Sequence, residues 1–324
     1  MHSLTMNVKQ HLHTFALAGL LSAMPVTGHA EQQQLAMLER QPDILELQPA
    51  SIWDLPAADK FVLVAELETG VLRVFEKHAG TRLEQVADYP ITIGKQGFGK
   101  TQEGDERTPI GVYRITSQLT ARQLDDFYGD MAYPLNYPNV WDRLNQFTGS
   151  GIWLHGVEND DVKRPLRDSD GCIVLSNADL KDLSKYLNVG YTKVLGTPKI
   201  NWVTNTEISR SRQQLNHRMH EWIKAWESRD PEAYLEFYSQ DFSDTEKNYK
   251  QWASYKRRVN TNKRFIKIRL SDLGIYAYPG QDDMAMAEFY QNYASNRFHS
   301  KGWKRQLWRK EADGEWRIIY EKGG

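Results

Sequence analysis

From Lys60 to Gly196 the chain is written in short β-rich runs separated by turns, and near Asn205 that pattern stops. KFVLVAEL and VLRVFEK flank Glu68-Thr69-Gly70, which predicts two strands joined by a hairpin turn. EQVADYPITIG, PIGVYRITS, GIWLHG, CIVL and TKVLG continue the series. One helix interrupts it, SNADLKDLSKYLNVG, with Ser176 as N-cap, Asp179 at capping-box distance and Gly190 after its end. Beyond Asn205 the order reverses. EISRSRQQLNHRMHEWIKAWESRD is a long amphipathic helix, and PEAYLEFYSQDF and EKNYKQWASYKRRVN predict two more. Four β runs then follow, RFIKIRLSDLGIYAYP, MAMAEFYQNYAS, GWKRQLWRKE and EWRIIYEK, with a turn at Ala312-Asp313-Gly314. These are two different layer arrangements. The fold class expected is a mostly-β domain over 58–200, then an α+β domain over 205–324 that folds as a separate unit.

The opening thirty residues are of another kind. MHSLTMNVKQHLH carries Lys9 and no acid, FALAGLLSAMPV is a short apolar run, and Gly28-His29-Ala30 supplies small residues at a cleavage position. This is the order of a secretory signal peptide over 1–30, too short for a comfortable bilayer span, with an uncleaved anchor as the alternative. No other segment has the length to cross a membrane, so the expected mature protein is exported, has no membrane span and begins near Glu31. Residues 31–57, opening with EQQQLAMLERQPDILELQPA, predict a short helix and a linker containing Pro49.

Export gives the single cysteine, Cys172, its weight. A lone thiol in an oxidising compartment has no partner in its own chain and is exposed to oxidation unless it has a task. A buried structural thiol or an intermolecular disulfide are the plainer readings. Acids and bases nearly balance, 42 against 41, which argues against nucleic acid as a partner. The glycine-rich loop KQGFGKTQEGDERT lacks the Gly-Lys-Ser/Thr ending of a phosphate cradle and leads into a strand, so no nucleotide is expected there.

A thiol nucleophile needs a base and donors for the developing oxyanion. His155-Gly156 stands at the end of the apolar run GIWLHG, and Ser169-Asp170-Gly171-Cys172 places the thiol directly after a glycine, where a substrate carbonyl approaches the backbone closely. The Gly171 and Cys172 N–H groups are candidates for the oxyanion hole.

His-Gly, twelve residues, then Ser-x-Gly-Cys resembles the signature of the L,D-transpeptidase catalytic domain (YkuD-type). GDERTPIGVYRI resembles that family's Thr-Pro-x-Gly-x-Tyr strand, and AYPLNYPNVWD the Tyr-Pro-Asn-x-x-Asp segment of one branch. The likeness covers roughly 58–198 and implies a YkuD-type β-sandwich with short helices. It implies a periplasmic enzyme that attacks the bond between meso-diaminopimelate and the terminal D-alanine of peptidoglycan stem tetrapeptides. Carried over, Cys172 is the nucleophile, His155 the base and then the acid, and Gly156 the carbonyl that orients the imidazole. Ser169 and Gly171 shape the pocket, Tyr133 of AYPLNYPNVWD joins the substrate-binding set, and neither metal nor organic cofactor is expected. Many cross-linking members place Arg two residues after the cysteine; here that position is Val174, and Arg167 is the candidate replacement.

Residues 205–324 resemble a nuclear transport factor 2-like cone, on Trp222 and Trp226, PEAYLEFYSQDF and the Trp316-Arg-Ile-Ile strand. A catalytic domain followed by this cone resembles the cell-shape L,D-carboxypeptidases, which pass the acyl group to water and leave tripeptides. The cone's aromatic residues either fill its core or line a glycan- or peptide-binding pocket. Glu158, Asp160 and Asp161 belong to a solvated loop or a lid. His217 and His220 sit on one helix but have no third ligand in view, so no metal site is expected. True transpeptidation, lipoprotein–murein chemistry, and a non-catalytic wall-binding protein remain as alternatives, the last disfavoured because binding alone needs neither Cys172 nor His155.

Overall fold

The computed structural model describes residues 47–78 and 82–323. The expected signal peptide and the expected helix ahead of residue 47 both lie outside the described residues.

The first domain is built on two larger sheets, with a two-stranded one, Arg167–Ser169 beside Ile93–Gly94, at the thiol loop. One runs in the order Leu83–Pro90, Val71–Lys77, Phe61–Glu66, Lys193–Thr197, Gly111–Arg114. The expected hairpin is present, with Ala65 opposite Leu72, and Lys193–Thr197 returns parallel to Phe61–Glu66. The second sheet runs Ile173–Val174, Trp153–His155, Met131–Pro134, Leu119–Thr120. Side chains alternate across each strand, so Leu63, Ala65, Leu72 and Val74 meet Tyr133, Leu154 and Ile173 in a common core. The helix Asn177–Leu183 closes that core with Leu180 and Leu183, and the Ser176 hydroxyl caps it by accepting from Asp179 N–H over 3.0 Å. Burying each such leucine is worth about 2 kcal/mol.

The C-terminal domain is a cone. The helix Asn205–Ser228 opens with a Thr204/Glu207 capping box and buries Leu215, Met219, Trp222 and Trp226 along one face. The second helix is shorter than its sequence suggests, Pro231–Leu235, because the chain beyond it pairs with the last strand. Ile318 N–H donates to Phe237 C=O, and Ser239 N–H to Ile318 C=O. The third helix spans Tyr249–Thr261. The sheet runs Trp316–Gly323, His299–Lys310, Met284–Ser295, Ile266–Ala277, Ile52–Asp54.

That last strand corrects the reading of residues 47–57 as a linker. Leu47–Pro49 pairs with Trp202–Thr204, and Ile52–Asp54 becomes an edge strand of the cone. The period of two explains it: Trp53 enters the cone's core against Trp316, centroids 5.9 Å apart, while Ile52 points the other way into a core between the domains. There Val62, Val64, Val112 and Leu195 of the first domain pack against Tyr276, Met286, Leu307 and Ile319 of the cone. A buried ion network lies beside them, with Glu288 between Lys193 at 2.9 Å and Arg305 at 2.6 Å. The two sheet systems therefore share a core inside one compact unit.

Candidate active site

Trp153–His155 runs parallel to Ile173–Val174, with Leu154 opposite Ile173 and His155 opposite Val174. Cys172 stands one residue before that second strand, level with Trp153, so Trp153, His155 and Cys172 share one face. The Cys172 thiol contacts the Gly151 carbonyl at 3.3 Å. Burial pushes the thiol up to about 11; the Trp153 N–H bonded to sulfur and Lys100 oppose this, and Asp170 adds to it.

His155 is buried, and its Nδ1 lies 2.7 Å from the Gly156 carbonyl. A carbonyl only accepts, so Nδ1 carries the proton and Nε2 is left as the basic nitrogen. Burial holds the imidazole down at about 4; the Gly156 bond and Glu158 resist, and Arg164 adds to the depression. Both groups are therefore neutral near pH 7. Aromatic rings wall the histidine, Tyr128 at 5.0 Å and Phe127 at 6.2 Å between centroids, and Tyr128 also meets Trp153 at 4.9 Å.

The loop before the thiol is fixed from beneath. Ser169 Oγ donates to Cys172 C=O over 2.7 Å and accepts from Gly171 N–H over 3.2 Å. The Gly171 N–H is thereby engaged, which leaves Cys172 N–H from the expected pair. Gly171 sits at φ +122°, and a Cβ there would lie 2.7 Å from the Arg107 carbonyl, so glycine is required. Thr108, fully buried, donates to Gly171 C=O over 3.0 Å and accepts from Gly94 N–H over 2.9 Å. In the sequence Thr108 stands within a strand motif, and nothing there marks it for this position.

Two expected residues stand elsewhere. Tyr133 is opposite Leu154, so it shares that residue's core face, whereas His155 is opposite Ala132 on the other face. It is a core residue bonded to Met131 Sδ and does not line the cleft with His155. Arg167 is exposed, and its guanidinium lies against Gly97, 3.6 Å from where a Cβ would stand there. The cation felt by His155 is instead Arg164. Its guanidinium lies 4.7 Å over Phe127, pairs with Glu158 at 3.0 Å and donates to the Asp168 carbonyl. Asp160 accepts from Asn177 Nδ2, and Asn177 also brackets Val157 N–H and C=O, so the acidic loop is tied at its base. An Asn just inside a helix that already has a serine cap was the only sequence hint of this role.

The cone holds a second concavity, a cavity of about 720 Å3 walled by Trp226, Tyr293, Lys256, Lys263, Lys301 and Lys304. No carboxylate lines it among the described residues. Lys256 lies within 4.5 Å of the Trp226 and Trp252 rings, and burial pushes its ammonium down to about 7. Most of the other aromatic residues, Trp222, Tyr234, Tyr238 and Phe242 among them, fill the core. His217 pairs with Glu221, and His220 Nδ1 meets the Asn216 carbonyl. Among the described residues no helix is long and apolar enough to cross a membrane.

Residues 60–195 match the model of the L,D-transpeptidase catalytic domain, and 214–322 that of the Cds6 C-terminal NTF2-like domain. Bd1075 of Bdellovibrio bacteriovorus is 31% identical over 86% of this chain and 98% of its own, with a TM-score of 0.74. Pgp2 of Campylobacter jejuni, a helical cell shape determining protein, is 26% identical over 84% of this chain and 95% of its own, with a TM-score of 0.71. No curated protein matches the chain at a significant level. The chain thus belongs to the L,D-transpeptidase family of peptidoglycan enzymes, in the form that carries a C-terminal NTF2-like domain.

Proposed function

We propose that the protein is a periplasmic L,D-carboxypeptidase that trims stem tetrapeptides to tripeptides and thereby contributes to cell shape. The observation that carries the chemistry is the single thiol one strand away from an imidazole whose Nδ1 is held on the Gly156 carbonyl. The thiol proton passes to His155 Nε2 as sulfur attacks the diaminopimelate carbonyl, and Cys172 N–H serves as a backbone donor for the oxyanion. Collapse breaks the C–N bond, the leaving amine takes the proton from His155, and D-alanine departs from a thioester. Water then gives a proton to His155 and its oxygen to the acyl carbon; the C–S bond breaks and sulfur recovers the proton.

Hydrolysis is favoured over cross-linking because Val174, buried in the sheet, replaces the polar group that many cross-linking members place there. Water needs no such binding site, whereas a second stem peptide does. The shape-determining role of Pgp2 supports the proposed contribution to cell shape. The basic, aromatic cavity of the cone would hold an anionic part of the wall polymer. Export through the first thirty residues would place the enzyme with its substrate.

The test is a muropeptide digest of tetrapeptide-rich sacculi after incubation with the mature protein and with Cys172→Ala. Tripeptide monomers formed only by the unsubstituted protein are expected. Accumulation of 3-3 cross-linked dimers would establish transpeptidation, release of a lipoprotein would establish the third acceptor, and turnover by Cys172→Ala would remove the thiol from the mechanism.

A further inference from the structure

Arg164 stacks on Phe127, the ring that neighbours His155, and it is built in. Its side chain is only 9% exposed, stacked on Phe127 and anchored to the Asp168 carbonyl. Its carboxylate partner among the described residues, Glu158, is 39% exposed and reaches it from the solvent edge. A guanidinium has five N–H donors in a planar fork, and these two partners take one each. Of the other cations near the thiol loop, Lys95 pairs with Asp170 at 2.7 Å and Lys100 with Asp105 at 2.8 Å, Arg107 donates to the Phe98 carbonyl, and Arg167 is exposed.

The reaction fixes where a substrate cation site must lie. His155 Nε2 delivers a proton to the leaving amine, so the departing amino acid occupies the histidine side. In an α-amino acid the carboxylate carbon is two bonds from that nitrogen. A terminal carboxylate therefore falls on the His155 side, and the cation held there is Arg164, stacked on the Phe127 ring that neighbours the imidazole. We propose that Arg164 recognises the terminal carboxylate of the leaving amino acid, with Glu158 as the surface carboxylate that it displaces. This rests on the carboxypeptidase reading and adds to it a reason for exo-specificity: a stem whose D-alanine is amidated or extended lacks the anion at that point.

The full-length chain is tested with two synthetic tetrapeptide stems, one ending in D-alanine carboxylate and one in the carboxamide. Binding to Cys172→Ala protein is measured by calorimetry, and turnover by the unsubstituted protein separately. Binding at least tenfold tighter for the carboxylate is expected, and Arg164→Ala in the Cys172→Ala background should abolish the preference by weakening the carboxylate peptide alone. Arg164→Lys should recover part of it, since charge remains while the fork is lost. Glu158→Gln should tighten carboxylate binding, because it removes the competitor; a purely structural ion pair predicts equal weakening of both peptides. Absence of a carboxylate preference, including failure of both peptides to bind, overturns the proposal. A preserved preference without tripeptide production overturns the carboxypeptidase reading and leaves Arg164 in its place.

Discussion

Asn139 Nδ2 donates to the Tyr278 hydroxyl over 2.7 Å, joining the loop after strand Met131–Pro134 to the turn that leads into the cone's central strands. The same Nδ2 also serves the Val112 carbonyl, and Asn139 Oδ1 caps the short helix Val140–Leu144 through Asp142 N–H. Every partner in this knot is buried. The chain then runs by way of Thr148, whose carbonyl accepts from the Tyr137 hydroxyl, to Gly151, whose carbonyl faces the Cys172 sulfur. The cone thus holds one end of the segment whose other end borders the thiol.

This joint bears on the expectation that the cone folds separately. Removing residues 205–324 would expose Val62, Val64, Val112 and Leu195, all now buried beneath the cone. Each such side chain is worth about 1.5–3 kcal/mol, so their sum reaches the size of an ordinary domain's stability. A chain ending at Thr204 is expected to unfold or aggregate, while Tyr278→Phe in the full chain should cost only about 1 kcal/mol. Thermal unfolding followed by circular dichroism checks both. A truncated chain that melts as cooperatively and as high as the full one would restore the modular picture.

Thr108 offers a sharper probe of the thiol loop. Its buried hydroxyl accepts from Gly94 N–H and donates to Gly171 C=O, and no other partner serves those two groups among the described residues. Thr108→Val keeps the shape and strands those two backbone groups, at about 1–3 kcal/mol for each group left unsatisfied. The expected result is a lower melting temperature together with a larger fall in thiol acylation, because Gly171 precedes Cys172. Equal activity and stability in the valine variant would show that the loop is held without it.

The sequence made the pairing of the two motif-bearing strands legible, since GIWLHG and CIVL are apolar runs with motif residues at fixed ends, and the two are parallel neighbours. It did not reveal which face each residue takes once register is set. Tyr133 lies in a motif-bearing run, yet pairing opposite Leu154 turns it into the core. Arg164 and Arg167 were indistinguishable as loop cations. The distinction arises because Arg167–Ser169 forms a short strand against Ile93–Gly94, which carries Arg167 outward while Arg164 folds over Phe127. The strand Ile52–Asp54 was hidden for a related reason: three residues are too few for a period, and its partner is more than two hundred positions away.

The cone's cavity is expected to act through charge. Lys263 and Lys301 line it, and Lys301 is exposed. Reversing both to Glu should weaken binding to isolated sacculi by an order of magnitude or more at low salt, with the difference shrinking as salt screens the rim. Alkylation of Cys172 should be unchanged, because these residues belong to the other domain. Pull-down with sacculi at two salt concentrations gives the comparison. Undiminished binding by the double variant would remove the cavity from wall recognition.

The two shifted groups of the active site define a pH signature. With the thiol at about 11 and the imidazole at about 4, the resting pair is neutral across the physiological range. A preformed thiolate–imidazolium pair would give an alkylation rate by iodoacetamide that is flat through neutrality. Here the rate should keep rising with pH toward the thiol value, while kcat/KM for peptide cleavage falls only on the acid side as His155 takes up a proton near 4. Stability follows the same proton. The folded imidazole titrates below its unfolded counterpart at 6.5, so the unfolded chain binds the extra proton in between. Neutral His155 therefore favours the fold above 6.5, and that advantage is lost as pH falls toward 4, by about 3 kcal/mol at most. His155→Gln, which cannot charge, should flatten this part of the stability curve while abolishing turnover. A plateau in wild-type alkylation between about pH 6 and pH 9 would mean that the thiol is already ionised, and the general-base route would give way to an ion pair.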